Sequence, residues 1–447
     1  MTNSKNSSNP RATSRRGPKG EKAASRSTDL DRPLKLGCAQ SLASAGIYVR
    51  MNVVLSEPCE NTRGGRWVAD ITDVDVLGIS HSLDLSADIS CVSCKAGTRV
   101  AVLHEAFALA GVMKYLRARR GYGVFAQKAI ESHMIALGQQ LDIALMDQGE
   151  WQSWCRRVSG PFSVPRMFED VIDATLSARL AQRTDLETLL RYLRTEFWYY
   201  RDYRNVKTLI VQLRHSADCL TSSPLSQFVL LDAAGLFAVA LLQMCEYVNT
   251  SGLSRLADAA PPYLFGGVAT YRNRKELLRK VEGLLRAKNL IDTDQGMPPL
   301  DPPYLSSLLD IVLRWCSKPS AAARVPQYLS VRAGFAAAAA TGSTQLSQAH
   351  GESDLTEKLA LDVIEFLGGA ARLRSELVLS VTRDAPASRA SVASRSSGIT
   401  VVPKSAGQIA VLSADTEQPD LLLDSNTGSN AGGVTSRVSD SSTQEPG

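Results

Sequence analysis

The sequence predicts a mixed α/β domain joined to an all-helical domain, with an unstructured tail at either end. Three observations carry that expectation. Up to about residue 155, short runs with strand character alternate with stretches of helical spacing. From about 163 to 380 the apolar residues recur every three or four positions almost throughout. Residues 1–33 and 383–447 are polar, small-residue segments with no hydrophobic period, as disordered chain is. The expected boundaries are a basic tail at 1–33, an α/β domain at 34–155, an α-helical domain of unknown role at 160–382 and a tail at 383–447.

Within the first domain, Cys38 to Val49 suits a short helix and Met51 to Leu55 a strand. Arg66–Ile79 and Ile89–Lys95 have strand character. Val100–Arg119 has helical spacing through Val102, Leu103, Phe107, Leu109, Val112, Met113 and Leu116. A strand at Gly121–Ala126, a helix at Ala129–Leu141 and a short apolar segment at Asp142–Met146 complete an α-β-β-β-α-β-α-β order. In the second domain, Thr184 and Glu187 have capping-box spacing ahead of Leu189, Leu190, Leu193 and Phe197. Val206, Leu209, Ile210 and Leu213 continue the period. Further helices are expected at 224–249, 273–289, 302–316, 326–341 and 353–380, punctuated by proline pairs at 261–262, 298–299 and 302–303.

The chain has a formal net charge of +5, and the excess of cations in residues 1–33 accounts for all of it. Bulk charge therefore gives the folded part no affinity for nucleic acid, and any such affinity must come from local patches. The eight cysteines sit mostly in apolar runs, which suits a reduced, intracellular chain. The N-terminal segment is basic without an apolar stretch behind it, so no secretory signal is expected. The longest apolar stretch, Phe228 to Met244, carries Asp232 and Gln243 and reads as a buried helix, not a membrane span. A cytoplasmic protein without membrane contact is the expectation.

The chemistry-bearing stretch runs through Thr72-Asp73-Val74-Asp75-Val76-Leu77-Gly78 and then Val92-Ser93-Cys94-Lys95. Side chains alternate along a strand, so Asp73 and Asp75 share one face, and Ser93 and Lys95 share one face. Carboxylates and an ammonium aimed at one point suit metal-assisted phosphodiester hydrolysis. There the metal polarises the phosphate while the lysine positions water and steadies developing charge.

These two segments, in this order and about twenty positions apart, resemble the PD-(D/E)xK nucleases, and among them the Mrr-like restriction branch. The resemblance covers about residues 34–150. It implies a restriction-endonuclease-like fold, a central mixed sheet flanked by helices, cutting DNA (or RNA) with Mg²⁺ or Mn²⁺. It implies Asp75 as the metal-binding aspartate, Lys95 as the catalytic lysine and the Cys94 main-chain carbonyl as a further metal ligand. Ser93 departs from the pattern, since the family has Glu or Asp there, and no glutamate is evident in the first helix. Two readings follow. Asp73 or Glu105 replaces the missing acid in an active nuclease of defence or repair; alternatively, the domain is a catalytically inactive pseudonuclease that binds nucleic acid or protein. In either case the helical domain would recognise a substrate, a partner or a second copy of the chain.

Other signals carry less. Cys91 and Cys94 lack a second ligand pair and, three apart on a strand, point to opposite faces. No histidines pair at helical spacing, and only His104, beside Glu105, lies near the proposed site. Arg117, Arg119 and Arg120 form a basic turn that could grip phosphates. The aromatic and basic run Phe197–Lys207 is read as core between helices, although nucleic-acid surfaces have similar composition. Gly266–Lys275 lacks the Gly-Lys-Ser/Thr ending of a phosphate loop and is read as a loop with a basic helix start.

Overall fold

The computed structural model describes residues 30–60, 66–199, 202–251, 256–288, 290, 300–343 and 353–383. The tails expected at 1–33 and 383–447 lie outside them, apart from residues 30–33 and 383, and Pro298–Pro299 also lies outside.

A five-stranded mixed sheet forms the first layer, with strands in chain order: β1 Tyr48–Glu60, β2 Arg66–His81, β3 Ala87–Lys95, β4 Arg120–Phe125 and β5 Ile143–Asp147. β1, β2 and β3 pair antiparallel, while β3, β4 and β5 pair parallel. The parallel pairs need crossovers. Helix α2, Val102–Leu116, supplies one and α3, Ser132–Gln140, the other. Helices α1, Arg32–Ser44, and α4, Gln148–Val158, flank the sheet. The expected element order is present.

The bounds differ at α1, which starts at Arg32 and has ended before Tyr48, where β1 begins. Its start is set by Pro33, which costs nothing in a first turn that has no amide partners to lose. Helix α4 was not anticipated, although its capping box is in the sequence: Glu150 N–H donates to Asp147, and Glu150 accepts from the Asp147 amide.

Helices fill the rest. They are α5 Asp170–Ala181, α6 Glu187–Arg191, α7 Phe197–Tyr199, α8 Asp202–His215, α9 Pro224–Thr250, α10 Leu256–Leu264 and α11 Val268–Ala287. After them come α12 Leu305–Ser317, α13 Pro319–Ala322, α14 Val325–Thr341, α15 Asp354–Ala371 and α16 Ser375–Arg383. Three expectations are corrected. Thr184 does not cap: a 3₁₀ turn over Thr184–Leu186 leads into α6 without a side-chain cap. Pro261 and Pro262 lie inside α10 rather than beside it. The helix expected over 353–380 is two, because Arg372 takes φ 58° and closes α15.

Helix α9 is the centre of the packing. Leu230, Leu236, Phe237, Leu241 and Leu242, on all its sides, are buried. Among the described residues it is the one helix long and apolar enough to cross a membrane, and it is instead enclosed by the rest of the chain. An apolar cluster runs without interruption from Val53, Leu77 and Phe125 in the sheet through Leu193 and Leu209 to α9 and α15. A second cluster lies between the sheet and α1 and α4, built from Cys38, Leu42, Val76, Val92, Tyr122 and Trp151.

Polar ties cross the same boundary. The Arg50 guanidinium of β1 pairs with Asp232 of α9 and donates to the Leu193 carbonyl at 3.4 Å. Arg32 donates to Asp173 at 2.8 Å, and Gln327 Nε2 donates to the Ala43 carbonyl at 3.2 Å. Within the helical part, a Cβ on Gly334 of α14 would lie 2.5 Å from the Arg166 amide nitrogen.

Both side chains of the Arg50–Asp232 pair are under 15% exposed, so removing one strands a buried charge. Arg50→Met should lower unfolding stability by about 3–5 kcal/mol in urea titration, and adding Asp232→Leu should return much of it. Burial also pushes the His81 imidazole down to about 4 from its usual 6.5. The unfolded chain then binds the extra proton first, so stability is full above pH 6.5 and declines towards pH 4. In His81→Gln that decline, followed by thermal unfolding across this window, should be shallower.

Candidate functional site

The β2–β3 ladder ends at the pair Val76–Val92, whereas β3 continues along β4 as far as Lys95 opposite Phe125. Beyond Val92 the edge of β3 that faced β2 therefore lacks a strand partner. Asp75 fills the opening. Its Oδ2 accepts from the Cys94 amide at 2.7 Å, so a side chain completes what the ladder leaves undone. The carboxylate is 7% exposed. Alternation points Ser93 and Lys95 to the side of the sheet that α2 covers, while the Asp75 carboxylate reaches Lys35 of α1 as well as the Cys94 amide.

Two ammonium groups approach this carboxylate. Lys95 Nζ lies 3.8 Å from Asp75 Oδ2 and 3.6 Å from Glu105 Oε2 on the first turn of α2. The closer cation is Lys35 of α1, whose Nζ is 2.9 Å from Asp75 Oδ1 and donates to Asn52 Oδ1 at 3.3 Å. Lys35 is as buried as Asp75, at 7% exposure. Asn52 stands across from Asp75 in β1 with φ 50°, an irregularity in the strand that presents its amide oxygen to the ammonium. At the neighbouring end of β3, the Ala96 amide donates to Asp31, just before α1, and holds that helix to the strand end.

Of the expected site residues, Asp75, Lys95 and Glu105 come together. Asp73 shares the strand with Asp75 but stands exposed, without an ion pair among the described residues. Ser93 sits on the correct strand, half-buried, without a hydrogen bond to Asp75 or Lys95. His104 is exposed. Arg117, Arg119 and Arg120 are exposed at the other end of the sheet. Arg120 is opposite Ser90, five residues before Lys95 on β3, which is roughly 17 Å away. They do not line this site. The thiols behave as core: Cys91 packs in one apolar cluster and Cys94 in the other. A hydrogen bond with Cys38, together with burial, raises the Cys94 thiol well above its ordinary value and keeps it protonated.

Lys35 was not anticipated. Its signal is in the sequence, since Lys35, Cys38, Ala39 and Leu42 fall on one helical face and all are buried. A cation on that stripe requires a buried acid as partner.

The donor set does not suit a divalent metal. Asp75 spends one oxygen on the Lys35 ammonium and the other on the Cys94 amide and Lys95. Glu105 engages Lys95, and the four charges Lys35, Lys95, Asp75 and Glu105 cancel. An added ion would meet two ammonium groups, each repelling a unit charge by about 4 kcal/mol at 4 Å and an effective dielectric of 20. Among the described residues no three His, Cys, Asp or Glu side chains gather into a ligand set.

Comparison with known proteins finds no matching family model, no matching curated protein and no matching solved structure.

The network makes a direct prediction. Lys35→Met should destabilise the fold by about 3–5 kcal/mol in urea unfolding, because Asp75 is left buried with its nearer partner gone. Lys35→Met with Asp75→Leu should recover less than a simple ion-pair swap would, because the Cys94 amide then loses its acceptor.

Proposed function

We propose that residues 34–155 are a nuclease-like scaffold of the PD-(D/E)xK type that does not hydrolyse phosphodiesters, and that the protein works by binding nucleic acid. The observation that carries this reading is the Lys35 ammonium, 2.9 Å from Asp75 Oδ1, where that resemblance calls for a metal ion. A primary ammonium neutralises the carboxylate and satisfies its lone pairs. It cannot polarise a phosphate as a divalent ion does or lower the pKa of a bound water. Ser93 adds no charge to compensate.

In this reading the geometry of Asp75 and Lys95 is architectural. Asp75 completes the backbone hydrogen bonding of β3, and the two lysines pin α1 and α2 to the strand end. Lys95 itself bridges Asp75 and Glu105, so its ammonium is engaged by two carboxylates.

Supercoiled plasmid, duplex and single-stranded DNA incubated with the protein in Mg²⁺, Mn²⁺ or EDTA should remain intact, and neither metal should raise its melting temperature. Metal-dependent cutting by the unmodified protein that is lost in Asp75→Asn would sink the proposal and restore the nuclease.

A further inference from the structure

Two segments read separately in the sequence, the basic end of Phe197–Lys207 and the run Gly266–Lys275, meet around one aromatic patch. Lys207 Nζ of α8 lies 4.1 Å from the centre of the Phe265 ring, and the Arg274 guanidinium of α11 lies 5.4 Å from the same centre. Arg204 stands 5.6 Å from the Tyr203 ring, and Lys275 stands 4.4 Å from the Tyr271 ring. Phe265 lies beside Tyr271 with the rings tilted by 31° and their centres 5.3 Å apart. The glycines of the intervening turn have a specific use. Gly266 takes φ 82°, and a Cβ there would come within 3.0 Å of the Tyr203 ring, so only glycine lets the turn sit against α8.

The charge at this point is unbalanced. Arg204, Lys207, Arg274 and Lys275 form no ion pair with a carboxylate among the described residues. On and beside α11, Asp301 accepts from Tyr271 at 2.8 Å, Glu276 pairs with Lys280 at 2.7 Å and Glu282 pairs with Arg286 at 2.7 Å. Burial and the charges of Arg274 and Arg204 together push the Lys207 ammonium below its usual range. The fold thus holds three cations against one another without the anion that would relieve them. Gly267 caps α11 without a side chain, so the leading amides of a 20-residue helix add their positive end to the same region. Helix α11 buries none of its residues, and Arg272, Lys275 and Arg279 continue the positive charge along one side of it.

We infer that this α8–α11 patch binds the phosphodiester backbone of a nucleic acid. The cations come from two helices around one aromatic patch and continue along α11, as a repeating polyanion requires. Their aromatic supports are covered by the cations themselves, whereas Leu277 and Leu284 of α11 stand 62% and 63% exposed, so an anionic vesicle is the competing ligand that the test must separate from nucleic acid. Contact is to phosphate and not to base edges, which gives tight salt dependence and little sequence preference. The inference names the surface for the binding reading above and rests on that reading only in expecting the strand to stay uncut.

The test is fluorescence anisotropy with labelled single-stranded DNA, duplex DNA and RNA, all in EDTA, so that binding is read apart from cleavage. Lys207→Gln with Arg274→Gln should raise Kd roughly tenfold or more, and on duplex should lower the slope of log K against log salt by about 2. The same variant should melt no lower than the unmodified protein, since repulsion is removed. Lys207→Arg should keep binding, and Arg117→Gln with Arg119→Gln and Arg120→Gln should leave Kd unchanged. An unaltered Kd in the Lys207–Arg274 variant overturns the inference. So does loss of binding in the Arg117–Arg120 variant, or capture of phosphatidylserine vesicles without any nucleic acid. Cutting in Mg²⁺ with binding still abolished at Lys207 and Arg274 would overturn the non-hydrolytic reading alone.

Discussion

A helix that is apolar on every side must be enclosed on every side, and α9 imposes that demand on the whole chain. Helices α8, α10, α12, α14, α15 and α16 pack against it, and the antiparallel edge of the sheet completes the contacts of the region through Arg50 and Tyr48. Asp232 is the only ionised side chain within the apolar run Phe228–Met244, and a charge buried there needs a partner at close range. The sheet supplies it from β1. The two kinds of secondary structure therefore share a core rather than meeting at a surface, and the described residues fall within one compact unit.

The same requirement acts at smaller scale around Asp75. Once β3 leaves β2 to follow β4, the Cys94 amide is deprived of a strand partner, and an acceptor must come from a side chain. A carboxylate meets that need but brings a charge, which then draws Lys35 from α1 and Lys95 from β3. Lys95 in turn draws Glu105. Each polar group is present because the previous one was buried, and the chain ends when the charges cancel. An acid and a lysine at adjacent strand ends can thus be required by folding alone.

Much of this was legible in the sequence. The alternation of elements up to residue 155, the strand faces of Asp75 and Lys95, and the enclosed helix over Phe228–Met244 follow from local periodicity, which a strand or helix expresses without help from distant residues. What escaped was set by distance. Lys35 occupies an apolar helical stripe, but its partner is forty positions on, and only the fold brings the two within hydrogen-bond reach. Phe197–Lys207 was read as core, which holds for Phe197 and fails for Arg204 and Lys207, because the second wall of their patch comes from Phe265 and Arg274. The arginine turn at 117–120 has the composition of a phosphate grip and lies at the far end of the sheet from Lys95, a fact that parallel pairing decides and local sequence does not.

Arg50 and Asp232 are 182 residues apart, and Gln327 reaches back 284 residues to Ala43. On a ribosome adding roughly 5–20 residues each second, the roughly 100 residues from the end of β5 at Asp147 to the end of α9 at Thr250 follow the sheet by about 5–20 seconds. Through that interval the buried face of β1, with Tyr48 and Val53, is open to water and to other nascent chains. The newborn layer is thus a client for any chaperone that shields apolar strand surface. The rate at which the second half is translated sets how long that surface waits for its cover, an interval that the stability of the finished molecule does not report.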